Sequence, residues 1–384
     1  MIQNFDEIIE RTGTNCTKFD GRMRFFGTQN ITPMWVADMD FATPQFIIDA
    51  INNKINQRIF GYEETNDEWF EAIINWQKRN GLKLQKSEIA FSPSVVSSLI
   101  ACVHAFSSIG DEIIVQSPVY YPFYSVVKDN NREVVVNNLK EKNGQYFFDL
   151  EDLKRKISSK TKMIFLCSPH NPVGRTWKKN ELQDIVDIAR ASNILIVFDE
   201  IHSDLSYVRF ESGYEFDYEN ILILNSPSKA FNTAGLNSSY VFSKNKKIIT
   251  SFKKTAKALG FSANNFAYIS TISAYNNGNK WIDDLKKYLK NNIQDTIMFF
   301  ETNNMKIKAY QPDATYLMWL DFRETDIHPD ELNKILINEC ELGLNDGSSF
   351  GQNGKGFMRL NIATPNNTLK NALENFRLIP NKHF

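Results

Sequence analysis

The chain has no cysteine pairing pattern, no long apolar run and almost no net charge. Its four cysteines, Cys16, Cys102, Cys167 and Cys340, are scattered over 384 residues without a C-x-x-C spacing. That leaves no basis for a disulfide framework or a zinc site. No apolar stretch approaches the roughly 18–20 residues that cross a bilayer as a helix. The polar, acidic start MIQNFDEIIERTG lacks the apolar centre of a secretory leader. With 44 basic and 45 acidic residues the net charge is −1, so there is no basic excess to attract nucleic acid. Repeats and low-complexity linkers are missing as well. These absences point to a cytoplasmic, soluble globular protein with no nucleic acid, membrane or metal partner indicated.

What is present is alternation. Short apolar runs at Glu112–Gln116, Met163–Cys167, Ile194–Phe198, Ile221–Asn225 and Tyr240–Ser243 alternate with amphipathic stretches. This is the pattern of a mostly parallel sheet flanked by helices, an α/β fold. Leu182, Ile185, Val186 and Ala189 fall at helical spacing, and so do Val95, Val96, Leu99, Ile100 and Val103 after Ser92-Pro93-Ser94. From about residue 280 the texture changes to longer polar helices and short strands near Tyr316–Phe322 and Phe357–Ile362. The expected division is a large domain over 42–278 and a smaller α+β domain formed by 1–41 and 279–384.

Ligands of open parallel sheets bind beyond the carboxyl ends of the strands, and the segments found there carry chemistry. SPVYYPF presents Tyr120 and Tyr121. SPHNPVGRTW presents Asn171. Asp199, Glu200 and His202 follow the third run. The fourth leads into SPSKAF, which sets Lys229 beside Ser226 and Ser228. A lysine delivered from a buried strand end loses charge to desolvation and becomes a candidate for Schiff-base chemistry. Singly, each residue has an ordinary structural reading as packing aromatic, turn former, helix cap or solvated lysine. Their ordered recurrence at strand ends points to one site.

The set SPHNPVG, FDEIHSDL and SPSKAF resembles the fold-type I pyridoxal phosphate enzymes of the aminotransferase superfamily. MWVADMDF (34–41), DEIH (199–202) and GFMRLNIATP (356–365) are similar to the MalY/PatB group, the cystathionine and cysteine-S-conjugate β-lyases. The likeness runs from about residue 33 to 365. It implies an aminotransferase-like fold with pyridoxal 5′-phosphate as cofactor, and Lys229 as its covalent anchor and the mover of the α-proton. It also implies Asp199 as partner of the ring nitrogen, Asn171 and His202 near the ring hydroxyl, and Tyr120 on the ring face. Backbone groups of Val95 and Val96, with the Ser226 and Ser228 hydroxyls, would hold the phosphate. Arg359 would clamp the substrate carboxylate, with the backbone around Ala37 close by. Tyr62 would reach in from the partner subunit of a homodimer.

Two positions depart from the group's pattern. Ser94 stands where glycine is usual, which puts the local loop geometry in doubt. Asn237 stands where many relatives have a basic residue, which implies a weaker hold on the phosphate. The same residues serve an aminotransferase, and a regulator that keeps the fold stays open too, although the chain shows no winged-helix segment or basic run. The S-x-x-K of serine acyl-enzymes is set aside because Lys254-Thr255-Ala256 lacks the required glycine and lies too near. The stretch from Gly343 to Gly356 reads either as a mobile lid or as an ordinary loop.

Overall fold

Seven strands form the central sheet of the computed structural model, which describes residues 3–303 and 305–380. They are β1 (Ile89–Ser92), β2 (Glu112–Ser117), β3 (Glu133–Asn138), β4 (Thr161–Cys167), β5 (Leu195–Asp199), β6 (Ile221–Asn225) and β7 (Ser239–Phe242). Their spatial order is β1-β7-β6-β5-β4-β2-β3, parallel from β3 through β6, with β7 antiparallel to both its neighbours. The expected mostly parallel sheet is therefore present, although its edge strands β1 and β3 had not been expected. The expected run Ile194–Phe198 shifts by one residue, so that Asp199 closes β5 and does not follow it.

Alternation along each strand explains why both faces are covered. Ile164, Leu166, Ile196, Phe198 and Ile223 join one apolar cluster, while Met163, Phe165, Val197, Leu222 and Leu224 join the other. Helix α1 (Val95–Phe106) covers the second face through Leu99, Cys102 and Val103. Helix α2 (Lys179–Ala191) covers the first through Leu182, Ile185, Val186 and Ala189, the periodicity read from the sequence.

A second, antiparallel sheet contains β8 (Lys308–Ala309), β9 (Leu317–Asp321), β10 (Asn345–Asp346) and β11 (Phe357–Asn361), in the order β8-β9-β11-β10. It follows the 24-residue helix α3 (Asn279–Thr302). In the central sheet the chain runs outward from β2 to β3, and the other way from β4 through β5 to β6. The carboxyl ends of β2 and β4 therefore flank a topological switch point, the usual place for a ligand in such sheets.

Candidate active site

Lys229 leaves the end of β6 in a turn locked by its own hydroxyls. Ser226 Oγ lies 2.6 Å from the Ser238 carbonyl oxygen and 2.8 Å from Ser228 Oγ, and accepts the Ser228 N–H at 3.1 Å. The Ser226 proton is thus committed within the turn, and half-buried Ser228 lines the cavity beside it. Lys229 Nζ donates to the Ala37 carbonyl at 2.7 Å, an oxygen that also accepts Tyr316 Oη at 3.0 Å.

Ala37 reaches the lysine because four charges hold its loop. Arg11 pairs with Asp38 at 2.7 Å and Asp40 at 2.6 Å, and Lys18 with Asp40 at 2.8 Å. Asn361 Nδ2 donates to the carbonyls of Val36 and Asp38, each at 2.6 Å. Lys18 is only 1% exposed, and a cation so buried persists only when paired.

One cavity gathers most of the residues singled out in the sequence. Ala37, Lys229 and Ser228 line it with Asp199 and His202 from the end of β5, and Asn171 and Tyr120 from the switch point. Val95 and Val96 close it at the start of α1, with Ser226 beneath. The first N–H groups of a helix have no intrahelical partner and face the dipole's positive end, which suits a phosphate. Ser94 caps α1, its Oγ accepting Ser97 N–H at 3.0 Å. Its backbone is extended (φ −156°, ψ 163°), a conformation any residue adopts, so the loop needs no glycine here. Ser94→Ala is expected to cost about 1 kcal/mol and Ser94→Gly only a few tenths. Urea unfolding of the apoprotein checks this, and equal losses in both variants would count against the cap. Asn237 is exposed and left-handed (φ 52°, ψ 58°). Asparagine tolerates that region, whereas a long basic side chain pays roughly 1–2 kcal/mol.

Burial sets the charges. Desolvation raises the Asp199 carboxyl to about 6, a rise resisted by the Ile201 N–H, donated to Oδ1 at 3.1 Å, and by the charge of Lys229. It lowers the Lys229 amine to about 8, against the pull of Asp38 and Asp199. His202 drops to about 3 through desolvation and then the positive charges of Lys229 and Arg359, so its ring is neutral at physiological pH. Its buried Nδ1 has no partner among the described residues. A neutral imidazole with an unused nitrogen, an acid opposite a lysine, an amide and a helix N-terminus form a donor and acceptor set that fits pyridoxal phosphate.

Arg359 lies at the second sheet's edge of this site. It is 3% exposed, and desolvation brings it down to about 10. Its Nη1 donates to Asn171 Oδ1 at 3.0 Å, and Nη2 donates to the Trp35 carbonyl at 2.9 Å and Asn345 Oδ1 at 2.5 Å. Nε has no partner, and no carboxylate lies within 4.0 Å among the described residues. A buried guanidinium without a counter-anion is a receptor for one. Tyr62 lies away from the cavity, fully exposed beside Ile59 and Phe60.

The segment from Gly347 to Lys355 bridges the two sheets through hydrogen bonds, which supports the ordinary-loop reading over the lid. Ser117 Oγ donates to Asn353 Oδ1 at 2.6 Å, and Asn353 Nδ2 returns a bond to the Ser117 carbonyl at 2.7 Å. Tyr124 Oη and Val119 N–H both donate to the Phe350 carbonyl at 2.9 Å. The Phe350 ring in turn lies 4.9 Å from the Arg359 guanidinium.

Sequence reasoning did not find Tyr316, Asn345, Ile201 or the Arg11–Lys18 brace. Only the two acids of MWVADMDF, which need buried cations, hinted at the brace.

The description aminotransferase class I and II matches residues 30–376. Cystathionine β-lyase PatB of Bacillus subtilis is 37% identical over 97% of this chain and 99% of that protein. Cystalysin from Treponema denticola, solved with pyridoxal 5′-phosphate, superposes with a TM-score of 0.92 at 31% identity over 98% of each chain. The pyridoxal phosphate-bound C–S lyase from Staphylococcus hominis gives 0.89 at 29% identity, over 99% of this chain and 98% of that one.

Proposed function

Since the chain belongs to the aminotransferase class I and II family, we propose that it is a pyridoxal phosphate-dependent carbon–sulfur β-lyase for cystathionine, cysteine and other cysteine S-conjugates. The products are a thiol, pyruvate and ammonia. The observation that carries the substrate assignment is Arg359, a buried cation with a free Nε and no acidic partner. It takes the α-carboxylate of an amino acid, bordered by the Trp35–Asp38 backbone and Ala37.

When bound, pyridoxal phosphate supplies an electron sink for the negative charge left at the α-carbon. Lys229 anchors the cofactor and then moves the proton. An amine held near 8 is deprotonated in a useful fraction close to neutral pH, which suits a general base. It takes the α-proton, the Cβ–S bond breaks with its electron pair on sulfur, and the thiolate departs. The unsaturated amino acid that remains is hydrolysed to pyruvate and ammonia.

Asp199, negatively charged above its value of about 6, would hold the ring nitrogen. Asn171, whose Oδ1 accepts from Arg359, would hold the ring hydroxyl. Neutral His202 would add an uncharged polar edge near that hydroxyl. Tyr120 would lie against the ring face, and the Val95 and Val96 N–H groups with the Ser228 hydroxyl would receive the phosphate, while Ser226 Oγ, its proton committed, braces the turn rather than taking the phosphate role expected of it.

The exposed stretch holding Ile59, Phe60 and Tyr62 supports a homodimer in which the partner subunit's Tyr62 enters this site. A cytoplasmic location and the division into 42–278 and 1–41 with 279–384 belong to the same reading. Among the described residues no helix is long and apolar enough to cross a membrane.

Purified holoprotein given cystathionine is expected to form pyruvate without any added 2-oxo acid. Amino transfer to a 2-oxo acid with no pyruvate from any thioether would replace this reading by an aminotransferase.

A further inference from the structure

A second cavity, of about 390 Å³, opens behind the His202–Leu205 turn, between the carboxyl end of helix Asp67–Lys78 and α3. That volume falls in the range of small-molecule sites. Its charged lining is balanced, with Arg79 and Lys286 facing Asp204 and Glu215. Arg209 also lines it but pairs with Glu211 at 2.8 Å. Arg79 packs over the Trp76 ring, 4.1 Å from its centroid. Neither Arg79 nor Lys286 lies within 4.0 Å of a carboxylate among the described residues, yet both bear on Asp204 electrostatically.

Asp204 is the fixed element. Both carboxylate oxygens share the single Trp76 Nε1–H, at 3.0 and 3.1 Å. One shared N–H leaves most of the acceptor capacity of a carboxylate unused. Two cations and an acid thus line one polar cavity, with exposed Arg79 and half-buried Lys286 beyond ion-pair reach of any carboxylate among the described residues.

We propose that this cavity is an accessory binding site for a free zwitterionic α-amino acid. The ligand's carboxylate bridges Arg79 and Lys286, and its ammonium meets Asp204. A polyanion such as phosphate is disfavoured because Asp204 and Glu215 would face it with like charge. A bare metal ion is disfavoured by the two neighbouring cations, and no metal-holding group of acids, histidines or cysteines occurs among the described residues. The site is distinct from the cavity at Lys229, whose lining it does not share.

L-Methionine is a suitable probe, because its sulfur sits on the γ-carbon and is not a β-leaving group. Equilibrium dialysis of the holoprotein counts all bound methionine, while the visible cofactor band reports only the active site. The expected result is two equivalents per chain, one of them silent in the cofactor band. Arg79→Gln with Lys286→Ala should weaken the silent site at least tenfold and leave the spectroscopic isotherm unchanged. Asp204→Asn, close in shape, should do the same. No cofactor-silent equivalent in the parent protein, or a silent equivalent that survives these substitutions, would overturn the proposal. Loss of the active-site isotherm alone would tell against the proposed lyase and not against this site.

Discussion

Lys229→Ala is expected to lower the rate of pyruvate formation from cystathionine by roughly 10²- to 10⁴-fold, the contribution of a positioned general base. It should also leave the cofactor removable by dialysis, since no side-chain amine remains to anchor it. The protein itself should not suffer. The amine sits at about 8 in the folded chain against an ordinary 10.5. Below pH 8 it is charged whether folded or unfolded, and the folded state bears the full cost of burying an ammonium. Between pH 8 and 10.5 the folded state gives up its proton first and that cost fades. The apoprotein should therefore gain stability relative to Lys229→Ala across this window, by no more than about 3 kcal/mol. Urea midpoints of both proteins at pH 7.5 and pH 10 measure it. A stability gap that stays constant with pH would show that the amine is not desolvated, and a variant with unchanged turnover would remove Lys229 from the chemistry.

Arg359→Ala carries the second large effect, and here activity and stability fall together. Losing the guanidinium removes the receptor for the α-carboxylate, and a deleted partner in a buried charged contact costs about 2–5 kcal/mol. A drop in kcat/KM of roughly 10²- to 10³-fold follows, expressed mainly in KM. Stability declines as well, because Asn171 Oδ1, the Trp35 carbonyl and Asn345 Oδ1 lose their donor. Asn171 Oδ1, the buried acceptor, costs about 1–3 kcal/mol when left unsatisfied, and the two partly exposed ones cost less. Arg359→Lys keeps the charge but not the planar fork, so it should recover part of the stability and little of KM. Steady-state kinetics over a range of cystathionine concentrations tests this. A wild-type KM in Arg359→Ala would place the carboxylate elsewhere.

Much of this site was legible because strands buried on both faces read as plain apolar runs. Met163–Cys167 and Ile221–Asn225 announce themselves, and with them the segments that carry Asn171 and Lys229. Of the edge strands, Glu133–Asn138 escaped because it is only partly buried, and Ile89–Ser92, although buried, because four residues make too short a run to stand out. Ala37 was expected at the substrate from the resemblance, but not the reason it sits there. Arg11, Lys18, Asp38 and Asp40 are ion-paired across as many as 29 positions, and long-range ion pairs leave no period in a sequence. Asn345 and Tyr316 were missed because their partners, Arg359 on the adjoining strand and Ala37 in a loop far along the chain, leave no local pattern in the sequence. Ser94 shows the converse, since a departure that put loop geometry in doubt became a helix cap of ordinary extended backbone.

The bridge between Ser117 and Asn353 also bears on how such a chain can change over generations. Gly351 sits at φ 129°, and a Cβ there would come within 2.2 Å of Ser117 Oγ. The residues from Gly347 to Lys355 are thus fixed in length as well as in type, because one inserted residue would slide Phe350 off Arg359. Turns elsewhere that carry no such bridge are free to lengthen or shorten. Drift in this lineage should accordingly spare the spacing between Gly347 and Arg359 long after the surrounding surface has diverged.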